Sequence, residues 1–323
     1  MGKKRADLKK EKQKATPLKK VFITLVIILG VILIGAGGFV AKTYMDVRSV
    51  ANKVSKPAGG KREYPVGQAD KDNIENGKPF SVLLMGIDTG DFGRKDLGRS
   101  DTIMVATVNP KEQKTTLVSL PRDTRTEIVG YNNGQLDKLA HAYAFGQESM
   151  AMSSTEKLLD IPLDHYVWLN MEGFEDLVNA VDGVEVNNKF EFKQDGYTFK
   201  KGKNKLNGKE ALAYTRMRYE DPKGDYGRQD RQREVVEAIA QKGLSLKGIS
   251  QYKDILRAIE DNMQTDLSWD EMIKIAMDYR SSFSTIQQET LQGEGVWIDD
   301  ISYQEIPEVE LQRVQTILQG QLK

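Results

Sequence analysis

From Val21 to Val40 the chain reads VFITLVIILGVILIGAGGFV, about 20 residues without a charge, the length at which a helix crosses the hydrocarbon core of a bilayer. No other feature restricts the fold as much. Backbone amides in hydrocarbon must be satisfied within their own segment, so the run is expected to be a spanning helix, predicted over 21–41. Ahead of it, residues 1–20 carry Lys3, Lys4, Arg5, Lys9, Lys10, Lys12, Lys14, Lys19 and Lys20 against only Asp7 and Glu11. Basic residues beside a span stay in the cytoplasm, which predicts a cytoplasmic N-terminal tail, a single pass through the cell membrane, and an extracytoplasmic remainder. A cleaved signal peptide is the rival reading, and Ala36-Gly37-Gly38 supports it, but the apolar run is too long for that class. The tail also reads as a nucleic-acid arm. A topogenic signal needs no such partner, and with 47 Lys+Arg against 47 Asp+Glu the chain is formally neutral. No nucleic acid is expected.

Residues 42–78 are polar and include Pro57, Gly59-Gly60 and Pro65, the composition of a stalk or linker, so the folded domain is expected over 79–323. Three β-branched runs open it: Val82 to Met85, Ile103 to Val108 and Thr116 to Leu120 read as buried strands with charges gathered at one end. With the turn-forming stretch Asn109 to Lys114, an antiparallel meander brings the end of the first, the start of the second and the end of the third to one sheet edge. That edge collects Asp88, Arg99, Asp101, Arg122, Asp123 and Arg125. Carboxylates interleaved with guanidinium groups make an odd core but suit a metal ion and phosphate oxygens. Gly90, Gly93 and Gly98 in the intervening loop let backbone approach an anion, although they match neither the Walker nor the dinucleotide pattern. The chain has no cysteine and only His141 and His165, which excludes disulfides and thiolate chemistry and leaves little for a zinc site.

Further on, Leu139, Ala142, Tyr143, Phe145, Met150 and Met152 make an apolar stretch that periodicity assigns to the core, with a lipid-chain pocket as the alternative. Tyr166 to Leu169, Met171 to Val181 and Val184 to Val186 read as strand, helix and strand, which predicts a parallel pair with a right-handed crossover. Phe190 to Phe199 reads as a hairpin. A short helix from Leu206 to Tyr214, capped by Asn207, then runs into Arg216 and Arg218, which extended chain would place on one side. Asp225 opens a helix on which Arg228, Arg231 and Gln232 are expected to share a face, near the helix end that attracts anions. Two helices, a strand pair and a final helix follow, with Trp269, Trp297 and Tyr303 read as core.

These residues carry a resemblance. Leu84-Met85-Gly86-Ile87-Asp88, Gly98-Arg99-Ser100-Asp101-Thr102, Pro121-Arg122-Asp123-Thr124, Lys138 with Leu139-Ala140-His141, Arg216-x-Arg218 and Asp225-x-Gly227-Arg228-x-x-Arg231-Gln232 resemble, in this order, the LytR-CpsA-Psr family of bacterial cell-wall proteins. The likeness is close from about Pro79 to Ile239; Leu139-Ala140-His141 departs from the isoleucine, asparagine and alanine common there. It implies a phosphotransferase that moves an anionic glycopolymer, of teichoic acid or capsule type, from undecaprenyl pyrophosphate to peptidoglycan through a phosphodiester. The fold expected is α/β: a mixed (parallel and antiparallel) central sheet flanked by helices in an α-β-α sandwich, preceded by one transmembrane helix. Asp88 and Asp101 would hold Mg2+, and Asp88, Arg99, Asp101, Arg122, Arg216 and Arg218 would serve catalysis. Arg99, Arg122, Arg125, Lys138, Arg216, Arg218, Arg228, Arg231 and Gln232 would bind the pyrophosphate. The resemblance also turns Leu139, Ala142, Tyr143, Phe145, Met150 and Met152 from core into the lipid pocket. A membrane-anchored binder of polyprenyl pyrophosphate without turnover, and a transcriptional regulator or attenuator, are the competing functions.

Overall fold

The predicted strands form because their side chains are apolar on both faces and both faces find cover. In the computed structural model, which describes residues 42, 44–66, 72–88, 98–243 and 252–323, the meander runs as expected. The strands are β1 (Phe80–Ile87), β2 (Ser100–Asn109), β3 (Lys114–Leu120), β4 (Arg125–Glu127), β5 (Leu136–Lys138), β6 (His165–Asn170) and β7 (Val184–Asn188). They continue as β8 (Phe192–Gln194), β9 (Tyr197–Phe199), β10 (Gly202–Leu206), β11 (Met263–Thr265), β12 (Ile286–Thr290), β13 (Glu294–Ile298) and β14 (Ile301–Glu305). The helices are α1 (His141–Leu159), α2 (Met171–Ala180), α3 (Gly208–Arg216), α4 (Asp225–Gly243), α5 (Tyr252–Glu260), α6 (Trp269–Asp278) and α7 (Glu308–Gln321).

The central sheet has six strands in the order β11-β6-β1-β2-β3-β12. It is mixed: β1–β2, β2–β3 and β6–β11 are antiparallel, β1–β6 and β3–β12 parallel. Strand alternation sends Leu83, Met85, Ile87, Ile103, Val105, Val118 and Leu120 into one core with residues of α1 and α7. Each such side chain, fully buried, contributes about 1.5–3 kcal/mol. The other face carries Leu84, Met104, Ala106 and Leu117, and there α2, α3 and α4 stand over it.

The parallel β6–β7 pair does not form. Instead β7 pairs antiparallel with β10 in a separate two-stranded sheet. Its burial alternates, with Val184, Val186 and Asn188 inside and Glu185 and Asn187 outside. One buried face fits a small covered ribbon; a central parallel strand would be apolar on both.

The contact pattern divides the chain into Met1–Ser49 and Val50–Lys323. The basic tail over 1–20 and the span over 21–41 lie outside the described residues, among which no helix is long and apolar enough to cross a membrane. The stretch read as a stalk is docked along part of its length. Lys56 N–H donates to Thr265 O (2.7 Å), and the Tyr166 hydroxyl donates to Lys56 O (2.9 Å). Gly59 N–H donates to Glu148 Oε2 (3.0 Å), and Arg62 donates to the buried Glu156 carboxylate (2.8 Å). Proline and glycine here shape a strap against the domain, which composition alone does not separate from a free linker.

Candidate active site

Strand geometry builds the charged edge. Gly86 pairs with Thr102 but Ile87 with Ser100, so Asp101 is the extra residue of a β-bulge, a device that re-aims a side chain. Glycine opposite the bulge avoids a tight contact, because a Cβ at Gly86 would stand 3.0 Å from Thr102 Cβ. One step beyond β1, Asp88 N–H donates to Arg99 O (3.2 Å) and Asp88 Oδ1 accepts from Arg99 N–H (2.5 Å). The Arg99 side chain is exposed. Residues 89–97, with Gly90 and Gly93, lie outside the described residues.

After β3, Pro121 opens a turn closed by Thr124, whose N–H (3.0 Å) and hydroxyl (2.7 Å) both donate to Pro121 O. This fixes Arg122, whose Nη1 donates to Asp101 Oδ1 at 2.7 Å. Asp123 beside it pairs with Lys138 Nζ at 3.0 Å. Arg125 sits farther out, across from Lys138 in the β4–β5 ladder, and pairs with Glu305 at 3.4 Å. Burial opposes the Arg122 charge, but Asp101 and Asp123 overcome it and raise its pKa above the ordinary value.

Arg228 comes to this edge from the first turn of α4. It is buried and pairs with Asp225 at 2.8 Å. Burial, offset in part by Asp225 and reinforced by Arg122 and Arg218, pulls its pKa below the ordinary value. Arg228 thus lies within electrostatic reach of the Arg122 and Arg218 guanidiniums and of Asp101. The Nε atoms of Arg122 and Arg228 are both buried without a hydrogen-bond partner among the described residues, an arrangement that an added anion would relieve.

Beside the cluster opens a cavity of about 320 Å3 between the sheet and helices α2, α3 and α4. Asp101, Arg216, Arg228 and Gln232 line it together with apolar walls that include Leu84, Phe174, Leu177, Leu212, Val236 and Ile239. Along α4 the lining residues are Arg228, Gln232, Val236 and Ile239, so one helix stripe passes from charged to greasy. That profile matches an amphiphile with an anionic head. The stripe is legible in the sequence as a four-, four- and three-residue spacing, but that spacing does not distinguish a cavity wall from packed core.

Several expectations are corrected. Leu139, Ala142, Tyr143 and Met152 are buried in the core beneath α1, on the opposite sheet face from the cavity, and Met150 packs against that core. Phe145 is partly exposed and stacks on Tyr131 with ring centroids 3.9 Å apart. None of the six lines the cavity, so periodicity gave the better reading of them. Arg231 faces away from Arg228 and Gln232: its guanidinium donates to Tyr214 O (3.0 Å), to Met217 O and to Asp221, all buried. It ties the chain after α3 in place. Arg216 and Arg218 do not share a strand side, because helix α3 continues through Arg216 and only then turns extended at Met217. Arg216 lines the cavity with Met171 Sδ 2.6 Å from its guanidinium; Arg218 lies over the Tyr219 ring, 5.4 Å from its centroid. Trp269 and Tyr303 are buried as expected, but Trp297 is not.

The chain is similar to known proteins in sequence and in fold. A curated protein of Enterococcus faecalis named polyisoprenyl-teichoic acid–peptidoglycan teichoic acid transferase TagU is 53% identical over 94% of this chain and 98% of its own. The crystal structure of Bacillus subtilis TagU is 43% identical, covers 76% of this chain and 97% of its own, and superposes with a TM-score of 0.60. A second crystal structure, of an Enterococcus faecalis protein described as a transcriptional regulator, is 52% identical over 77% of this chain and 90% of its own, with a TM-score of 0.69. The LytR_cpsA_psr family matches residues 41–320, and to that family this chain belongs.

Proposed function

We propose that the protein transfers an anionic glycopolymer of teichoic acid type from a polyprenyl pyrophosphate carrier to a peptidoglycan hydroxyl. The observation that carries this reading is the cluster of Arg122, Arg218 and Arg228 beside an apolar cavity, with two buried Nε atoms that make no hydrogen bond among the described residues. A pyrophosphate head would take the guanidiniums and a prenyl chain the cavity. The name of the Enterococcus faecalis relative supports the same substrates.

In the reaction, the acceptor oxygen forms a bond to the phosphorus that bears the polymer, and the bond from that phosphorus to the bridging oxygen breaks. Polyprenyl phosphate leaves with the electron pair, and the proton given up by the acceptor hydroxyl ends on the departing phosphate, directly or through solvent. Charge grows on the bridging and equatorial oxygens, and the preset guanidiniums of Arg122, Arg218 and Arg228, with Arg99 and Arg216 around them, lower its energy. Lys138 and Arg125 extend the positive rim, and Gln232 contributes an amide where head and tail meet. Asp88 and Asp101 would hold magnesium. A site of two carboxylates would leave positions for phosphate oxygens and water, as that ion prefers. When bound, the ion supplies charge neutralisation at those oxygens.

The span over 21–41 would anchor the domain in the cytoplasmic membrane with its N-terminus inside, which keeps the site at the outer leaflet and concentrates the lipid donor. That placement separates the domain from DNA and opposes a regulator's role. The test is incubation of the full chain with a lipid-linked donor, an acceptor glycan and magnesium. Release of polyprenyl phosphate coupled to polymer on the acceptor is expected. Binding of the donor without release would reduce the protein to a carrier-binding module.

A further inference from the structure

The β13–β14 hairpin holds Trp297 76% exposed, an unusual place for the largest apolar side chain in the chain. Asp299 and Asp300 form the two-residue turn with φ of 48° and 62°, as a type I′ hairpin requires. Alternation puts Trp297 and Gly295 on one face with their cross-strand partners Ser302 and Gln304. Tyr303, on the other face, lies buried with Lys138 Nζ 5.6 Å from its ring.

The base of the hairpin is stitched to both sides of the arginine cluster. Gln304 N–H donates to Asp123 O (2.9 Å), next to Arg122, and Glu305 pairs with Arg125 at 3.4 Å. From the first turn of α4, the Tyr226 hydroxyl donates to Gln304 Oε1 (3.1 Å) and accepts from Gly293 N–H (2.6 Å). The hairpin is therefore a continuation of the site wall. A Cβ at Gly295 would meet only Gln304 Nε2, at 3.5 Å, so the strand beside the indole is bare. A flat aromatic ring, a shallow notch next to it, a hydroxyl across from it and two carboxylates at the turn suit a sugar ring. Its C–H face lies on the indole and its hydroxyls reach the polar groups.

Charge selects among sugars. Glu294, Asp299 and Asp300 are exposed, and they repel both an anionic polymer and an anionic lipid surface. We propose that Trp297 is the platform for the uncharged sugar backbone of the acceptor glycan, which crosses the hairpin to present its hydroxyl at the arginine cluster. The assignment rests on the transferase reading above and adds where the acceptor docks.

The test uses the full chain in detergent, with peptidoglycan glycan strands stripped of stem peptides and capped as neutral amides at the freed lactyl carboxyls as the probe. Trp297→Ala should raise the acceptor KM about tenfold. Donor affinity and thermal melting should stay put, and Trp297→Phe should restore most of the loss. The strands should also shift tryptophan emission in the native protein and not in Trp297→Phe. An unchanged acceptor KM in Trp297→Ala overturns the proposal. So does an emission shift produced by anionic phospholipid vesicles and not by strands, which would make the hairpin a membrane contact. Strand binding through Trp297 without any release of polyprenyl phosphate would sink the transferase reading and leave the glycan platform standing.

Discussion

Arg122 and Arg231 show how two arginines of one site-like set do different work. Arg122 has a buried Nε that makes no hydrogen bond and reaches Asp123 Oδ2 only at 3.7 Å, whereas Arg231 is saturated by two carbonyls and Asp221. Arg122→Ala should therefore lower the transfer rate about 100- to 1,000-fold, the usual loss for a donor aimed at developing charge. The fold should survive it, and Arg122→Lys should rescue little because an ammonium cannot make the guanidinium's two-pronged contacts. Kinetics and thermal melts on the same preparations check both statements. Arg231→Ala should act the other way round: it leaves Asp221 buried without its partner, a change worth about 3–5 kcal/mol of stability in a denaturant titration. The sequence places Asp88, Asp101 and Arg122 at one edge because strand polarity alone does so. It cannot separate Arg228 from Arg231, since both stand in one short motif and only the packing of the chain after α3 decides which turns inward.

At the scale of elements, the two faces of the sheet carry different duties. The face under α1 is filled core, with Met152 buried. The face under α2, α3 and α4 leaves the cavity. Met152→Ala should thus cost about 2–5 kcal/mol of stability, the range for truncating a buried side chain, with little effect on donor chain-length preference. Val236→Phe should do the reverse, because added volume enters existing space: the fold holds, and KM rises for a long-chain donor more than for a short-chain one. A series of donors of increasing prenyl length measures that difference. Periodicity recognised the apolar face of α2 and the core character of Leu139, Ala142 and Tyr143. It could not show that Phe174 and Leu177 border a void, because an unfilled pocket and a packed core demand the same residues. Nor could the apolar runs of β6 and β7 reveal that one joins the sheet and the other leaves it, a choice made by the alternating Glu185 and Asn187.

For the whole compact unit Val50–Lys323, the docked strap around Arg62 makes stability depend on chain that composition assigns to a stalk. Glu156 lies inside the domain with 0% of its side chain exposed, and Arg62 is its salt-bridge partner at 2.8 Å. Burial raises the Glu156 pKa above its ordinary 4.5, while the Leu163 amide and Arg62 hold it down. A carboxyl raised on folding contributes stability below its unfolded pKa and loses it as pH rises through the folded value. A fragment beginning at Pro79 removes Arg62 and with it one restraint, so the folded pKa of Glu156 climbs and the losing window extends toward neutral pH. The fragment should melt lower than a chain beginning at Val50, and the gap between them should widen as pH is raised from about 5 to about 7. Glu156→Gln should flatten that widening, because a neutral amide has no charge to bury. Equal melting temperatures across this range would mean that the strap lies on the domain without supporting it, and the folded domain would then begin where composition places it.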